Sequence, residues 1–462
     1  MTIKPEDVEL PTYWAQVNPR EMLADYPIGQ AFLDGPAQWS ADELRATQER
    51  RFQRVIARAW SVPFYHRRWR AAGLEPGDIQ GIDDLPKIPS FTKADLMASI
   101  ENYPPFGDYH GLHEHHPHAI FHTTSGTTGI PQSLFFGPKD REMQNLLLAR
   151  AYILQGLSQE DLVHSVYGFG MVNGGHYVRE AVTHFTGALF LPAGTGRDMP
   201  SVQQIEQMLR LRVTVIVGFA DYIKRLAEVA RELGLDPARD MHVRMITGHL
   251  GTEDREALSA SWGGAEPFDW YGVGDTGIIA AEGPAHDGLH IWEDAHLVEV
   301  LDPETKDVLA DGQPGNLCTT VLFKDGVYPI IRFDTNDMTT ALPPAGGINF
   351  RRMAGFQGRS DNMVKLRGIN VYPTAIGAYL EEIAEATGEY VCRWTREGSR
   401  EELAVIVEVT ERYDGLLDKL RGLLRQKLGV ETSVELAAPG ETAPLTQIES
   451  RQKPIRLIDE RN

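Results

Sequence analysis

The sequence predicts an α/β protein: a large N-terminal α/β domain with mostly parallel sheets over residues 1–360, and a small C-terminal α+β domain over 361–462. Four observations predict it. The β-branched run Val213–Val217 reads as a buried strand, and Tyr222–Leu233 follows with helical spacing. Val243–Thr247 and Phe268–Tyr271 read as further strands, and strand–helix–strand order implies parallel pairing with helices on both faces. The 462 residues are 42% hydrophobic and 24% charged, an ordinary globular balance in a chain long enough to bury a large core. Finally, residues 340–360 are rich in Gly and Pro with no obvious regular element, and the texture changes beyond them.

The elements follow in order. Residues 1–39 are Pro-rich and irregular. Ser40-Ala-Asp-Glu43 is a capping-box pattern opening a helix that ends near Ala59, before Pro63. Pro86, Pro89, Pro104 and Pro105 mark loops up to about 118. After the parallel core, His296–Leu301 and Leu317–Leu322 read as strands joined by turns. The C-terminal domain holds a helix after Pro373, a strand at Leu403–Val409, a helix at Tyr413–Leu428 and a strand at Ser433–Ala437.

Lys and Arg number 45 against 65 Asp and Glu, a net charge of −20, which argues against a general nucleic-acid binder. Local donors can still hold a small anion. Two cysteines, Cys318 and Cys392, make neither a disulfide framework nor a four-thiolate zinc site and suit a reducing cytosol. The start MTIKPEDVELPTYW lacks a basic region followed by an apolar run, and no stretch nears the ~20 apolar residues of a membrane span. The expectation is a cytoplasmic protein with no membrane partner.

The segment Phe121–Pro131, FHTTSGTTGIP, carries the chemistry. Five hydroxyl residues and two glycines fall between Thr123 and Gly129. Glycines let backbone N–H groups converge on an anion, and hydroxyls add donors that rotate to fit. That is what a polyphosphate loop needs; the plainer alternative is a flexible surface turn. It is not a Walker A loop, since only two residues separate Gly126 from Gly129 and Ile130-Pro131 follow where Lys-Ser/Thr is required.

Further segments stand in order along the chain: Tyr167-Gly-Phe-Gly with Gly175-His-Tyr-Val-Arg-Glu180, Val215–Leu226, Tyr271-Gly-Val-Gly-Asp-Thr-Gly277, Asp287–Glu293, Pro329–Asp337, Gly358–Pro373, and Gln452-Lys-Pro-Ile-Arg456. With the hydroxyl-rich loop, this set resembles the acyl-adenylate-forming superfamily and, within it, the phenylacetate–CoA ligase family. The resemblance runs from about residue 60 to the C-terminus.

The resemblance implies two half-reactions. A carboxylic acid attacks the α-phosphorus of ATP to give acyl-AMP and pyrophosphate, and a thiol, usually of coenzyme A, then displaces AMP. The acid implied is aromatic: aryl or arylacetic, with indoleacetic also accommodated. Thr124, Ser125, Gly126, Thr127, Thr128 and Gly129 would hold the phosphates, and Asp275 would place Mg²⁺, a cation that wants oxygen ligands. Asp275 stands where the family has Glu, one methylene longer. Tyr271 would stack on adenine, with Gly248, His249 and Leu250 forming the opposite wall where the family has Gly-Ala-Glu-Pro, and Gly272 and Thr276 would also contact ATP. Asp337 would accept from the ribose hydroxyls, with Arg359 adding a contact. Lys453 would bridge carboxylate and α-phosphate as a compact cation on a flexible stem. Asp361 would be the hinge about which a mobile C-terminal domain turns between half-reactions. Tyr167, Phe169, His176, Phe219 and Ala220 would line the acyl pocket, where aromatic walls suit a flat ring. At family level the resemblance also implies a homodimer.

Rival readings compete at several points. Gly272–Gly277 formally matches Gly-x-Gly-x-x-Gly, but a dinucleotide fold needs a helix directly afterwards, and Gly283-Pro284 break the chain. His110, His113, His115, His116, His118 and His122 crowd one stretch without metal-ligand spacing and read as a solvated loop. Some relatives bind zinc through cysteines before the hinge; here Pro343–Asn349 contains none, so no zinc is expected. The acyl group could also pass to a carrier-protein thiol or an amine.

Overall fold

The computed structural model describes residues 9–111, 119–124, 131–251, 253–360, 364–367, 369–397, 400–448 and 454–461. A hairpin, β1 (Ile120–Thr123) and β2 (Ser133–Phe136), precedes the main sheet. That sheet contains β3 (Leu162–Ser165), β4 (Leu189–Pro192), β5 (Val215–Phe219), β6 (Met245–His249), β7 (Glu266–Val273), β8 (Gly277–Glu282), β9 (Leu289–Ile291), β10 (His296–Leu301), β11 (Pro314–Val321), β12 (Phe333–Leu342) and β13 (Arg352–Met353). Their spatial order is β10-β11-β12-β13-β9-β8-β7-β6-β5-β3-β4.

The half from β4 to β7 pairs in parallel, as the strand–helix alternation predicts. From β7 onwards every pairing in this sheet is antiparallel. The cause is local: β7 turns into β8 within three residues, too short for a crossover helix. The same turn removes the dinucleotide reading, because a strand and not a helix follows Gly277. The buried run begins pairing at Val215, two residues after the sequence-based start, because Arg212 ends the preceding helix in the left-handed conformation. Strand β13, within the 340–360 stretch read as irregular, is two residues long and bounded by glycine turns, so no periodicity marks it.

The capping box at Ser40 forms as expected. The Glu43 carboxylate accepts from the Ser40 amide at 2.8 Å and opens the helix Ala41–Trp60. Helix Pro138–Leu154 is buried along most of its length. Its Arg150 donates to both oxygens of Asp294 at 2.9 and 3.0 Å, with both side chains fully buried. A buried cation is tolerable when its partner satisfies it bidentately.

The C-terminal domain has a hairpin, β14 (Val364–Leu366) and β15 (Ile369–Val371). Its four-stranded sheet contains β16 (Ala386–Glu397), β17 (Arg400–Val409), β18 (Ser433–Ala437) and β19 (Leu457–Glu460), in the order β18-β17-β16-β19. Helix Leu416–Leu428 lays Leu416, Leu420 and Leu424, one face at i, i+4 spacing, onto that sheet. This core draws only on residues from 364 onwards. Cys318 lies buried in β11 and Cys392 buried in β16. Among the described residues, no helix is long and apolar enough to cross a membrane.

Candidate active site

The site is built at the C-terminal ends of β5 and β6, where open α/β sheets place their ligands. Gly218 and Gly248 are register partners on these strands. Their backbones come so close that a Cβ on Gly248 would lie 1.8 Å from the Gly218 carbonyl oxygen. Immediately beyond, Phe219 ends β5 and the helix Ala220–Glu232 begins. The bare backbone at these strand ends marks the floor of the candidate acyl recess.

Aromatic rings wall the recess. Tyr167 meets Phe219 edge-on, with ring centroids 5.0 Å apart. His249 stacks on Phe219 at 5.0 Å and lies 4.1 Å from Trp270. The Tyr167 hydroxyl is 2.6 Å from His249 Nδ1 and 3.3 Å from the Gly218 carbonyl, and the His249 amide donates to the same phenol oxygen. Of the predicted acyl-pocket residues, Tyr167, Phe219 and Ala220 thus sit together. Phe169 and His176 form a second group with His122, at 5.3 and 5.0 Å from the His176 ring. Gly174, two residues before His176, packs on the Tyr167 ring, where a Cβ would lie 3.5 Å away. His249 was expected beside adenine; its ring belongs to the aromatic wall. Trp270 was missed, although strand alternation in Phe268–Tyr271 puts it on the face opposite Tyr271.

His110 and His122 correct the solvated-loop reading. Both are buried: His110 packs 4.4 Å from Phe135, and burial pushes His122 down to about 4, with Arg141 adding to the shift. His113, His115, His116 and His118 lie outside the described residues.

On the other face of β7, Tyr271 donates to Asp337 Oδ2 at 2.7 Å, and Arg359 donates to Asp337 Oδ1 at 2.9 Å. Asp337 and Arg359 are also joined by a backbone bridge. The three predicted nucleotide contacts form one unit. Burial, and then the Asp337 charge, hold the Tyr271 phenol far above its ordinary range, so it remains a donor.

The phosphate end converges on Asp275. Its Oδ1 accepts from Gln132 Nε2 at 2.5 Å and from the Tyr328 hydroxyl at 3.0 Å. Burial raises this carboxyl, while Lys324, Tyr328, Gln132 and Lys93 pull it back. The residues fit a magnesium–phosphate group: beside the carboxylate, the buried Gln132 Oε1 has no hydrogen-bond partner among the described residues. Thr124 Oγ1 accepts from the Gln132 amide at 3.3 Å and from Lys93 Nζ at 3.4 Å. Thr276 lies buried beside this cluster, its hydroxyl donating to the Gly277 carbonyl at 2.8 Å; Gly272 approaches so close to the Gly277 carbonyl that a Cβ would be 2.4 Å away. Ser125, Gly126, Thr127, Thr128, Gly129, Asp361 and Lys453 lie outside the described residues.

Sequence reasoning missed two cations here. Lys93 opens the helix Lys93–Asn102, whose Thr92–Asp95 capping box was a readable signal. Lys324 is wholly buried between Asp140 and Asp275; it donates to the Asp275 carbonyl at 2.9 Å, and burial pushes it down to about 8. Nothing in the loop sequence announces it.

Comparison with known proteins accords with this geometry. Residues 368–461 match the family model for the AMP-binding enzyme C-terminal domain. The chain is 30% identical over 417 residues to the phenylacetate-coenzyme A ligase of Aromatoleum evansii, covering 87% of this chain and 91% of that protein. It is 30% identical over 446 residues to the enzyme of the same name from Escherichia coli K12, covering 93% and 98%. The solved 2-hydroxyisobutyryl-CoA ligase in the postadenylation state, in complex with R3-HIB-AMP, superposes with a TM-score of 0.82 at 27% identity, covering 92% of this chain and 91% of that one. The same ligase with 2-HIB-AMP and CoA in the thioesterification state superposes with a TM-score of 0.66 at 28% identity and equal coverage.

Fold and site together define an acyl-adenylate-forming enzyme. Within that class the chain belongs to the phenylacetate–coenzyme A ligase family of AMP-forming acid–thiol ligases, which join acids to coenzyme A through an adenylate.

Proposed function

We propose that this enzyme activates an aryl or arylacetic acid with ATP and passes the acyl group to coenzyme A. The observation that carries the aromatic assignment is the wall formed by Tyr167, Phe219, His249 and Trp270 above the Gly218–Gly248 floor. A flat ring gains edge and face contacts there that an aliphatic acid does not. Gly174 and Gly175 do not add room for a fused ring such as indole: a Cβ on Gly175 would lie 2.7 Å from the Gly168 carbonyl oxygen, and one on Gly174 would touch the Tyr167 ring.

In the first half-reaction an oxygen of the substrate carboxylate attacks the α-phosphorus, and the bond to the bridging oxygen of pyrophosphate breaks. The obstacle is the repulsion between two anions, which fixed positive charge offsets as the transition state forms. Thr124 and the hydroxyl loop through Thr128 hold the leaving phosphates, with Lys93 beside them. Mg²⁺ at Asp275 would supply charge neutralisation on the phosphate oxygens. Asp337, clamped by Tyr271 and Arg359, orients the ribose, and Lys453 neutralises the charge between carboxylate and α-phosphate. In the second half-reaction the thiol sulfur attacks the acyl carbon and AMP departs with the bonding electrons. We place the division between the domains at 360/361, with Asp361 the hinge.

Product analysis tests this. The protein is incubated with ATP, Mg²⁺ and a panel of aryl, arylacetic and short aliphatic acids, with and without coenzyme A. AMP and an aryl-CoA from one aromatic acid support the proposal. Acyl-AMP without acyl-CoA assigns another acceptor, and turnover of aliphatic acids alone removes the aromatic assignment.

A further inference from the structure

One ion pair crosses between the two domains beside the acyl recess. Arg456, at the entry to β19, donates to Asp221 Oδ1 at 3.0 Å. Asp221 lies in the first turn of the helix Ala220–Glu232, directly after the recess residues Phe219 and Ala220. On its own side Arg456 is fixed firmly. It donates to Glu389 Oε2 at 2.9 Å and to the Tyr390 carbonyl at 2.8 Å, and lies 4.6 Å over the Tyr390 ring. Its side chain is 11% exposed and that of Asp221 28%, so solvent screens the pair only partly.

The surrounding charges do not favour the contact in general. Glu253 and Asp254 of the large domain lie near Glu381 of the small one; burial followed by those like charges raises the Glu381 carboxyl, while a hydrogen bond from the Asp254 backbone N–H and the Lys224 charge pull it back. Lys224, which is bonded to Glu253, attracts Glu389 across the boundary. The interface is thus a few attractions set against a few repulsions, an arrangement that holds one orientation without making it permanent.

We propose that Asp221 is a positioning residue for the first half-reaction: through Arg456 it holds the C-terminal domain in the arrangement that forms the adenylate, and it must release Arg456 before the thiol reacts. This rests on the proposed role of Lys453. Lys453 precedes Arg456 by three residues, and three peptide units span at most about 11 Å. The better superposition on the postadenylation form of the 2-hydroxyisobutyryl-CoA ligase than on its thioesterification form agrees with this arrangement.

The test uses Asp221→Asn and Asp221→Glu in the full chain, with phenylacetate and phenylacetyl-AMP as probes. Asp221→Asn should lower phenylacetate-dependent ATP–pyrophosphate exchange about tenfold, while thioester formation from supplied phenylacetyl-AMP and coenzyme A stays at or above the wild-type rate. Asp221→Glu should restore exchange to within about twofold. Equal loss in both half-reactions, or no loss in either, overturns the proposal. A second readout needs no turnover: spin labels at Val202→Cys and Glu411→Cys, both exposed, with the native thiols buried. Asp221→Asn should broaden the interdomain distance distribution, and an unchanged distribution overturns the latch. A wild type inert with phenylacetate speaks against the substrate reading, while the distance measurement still decides the latch.

Discussion

Tyr271 and Asp337 are joined by a 2.7 Å hydrogen bond from phenol to carboxylate, across the gap between β7 and β12. With Arg359 on the other oxygen, the carboxylate is fixed before any nucleotide arrives. A bond to a charged acceptor is worth about 1.5–3 kcal/mol. Tyr271→Phe keeps the ring and loses the bond. The expected outcome is a lower melting temperature and a KM for ATP raised about tenfold, with kcat changed less. Steady-state kinetics at varied ATP and a thermal melt check both.

Asp140 predicts a pH dependence of stability. It is fully buried, and burial pushes its carboxyl up to about 6 against the pull of Lys324. A carboxyl raised on folding favours the fold most when protonated, below its ordinary value. That contribution is lost as pH rises through 6. Between pH 4 and 6 this one group should therefore subtract on the order of 2 kcal/mol from the unfolding free energy. Denaturant titrations across that range should show the step in the wild type and its absence in Asp140→Asn.

Phe219 predicts substrate range. Its ring touches both Tyr167 and His249, so Phe219→Ala opens the recess between them. The KM for phenylacetate should rise about tenfold, and the ratio of kcat/KM for a bicyclic arylacetate over phenylacetate should increase. Loss of the same proportion for every acid would assign Phe219 to packing alone.

Asp361→Pro predicts a split between half-reactions. Fixing φ at the proposed hinge should slow thioester formation far more than adenylation, because only the later step needs the domain to turn. Single-turnover measurement of each half-reaction checks this, and equal slowing rules out the hinge.

Much of this architecture was legible in the sequence because it depends on local pattern. The β-branched run before Gly218 and Phe268–Tyr271 each name a strand, buried on both faces, and the Leu416/Leu420/Leu424 stripe names a helix and its buried face. In the antiparallel half β10 and β11 were legible as strands, but β9 and β13 were not, since each is three residues or fewer and they pair with each other only through long-range register. In the site, Tyr271, Asp337 and Arg359 could be placed by motif, but their union required the fold to bring residues 66 and 22 positions apart into bonding distance. Lys324 had no local signature, because a buried lysine is defined by the Asp140 and Asp275 that surround it. His249 departs from the family pattern, and only the structure shows that its ring joins the aromatic wall.

The touching backbones of Gly218 and Gly248 divide the recess into a part that can diversify and a part that cannot. Any side chain at Gly248 must displace a neighbouring strand, so new acid preferences have to arise at the movable tips above it: Tyr167, Phe219, Ala220, His249 and Trp270. A library that randomises those five positions and leaves both glycines untouched should retain folded members across its range. One that randomises the glycines should lose soluble protein before it changes substrate.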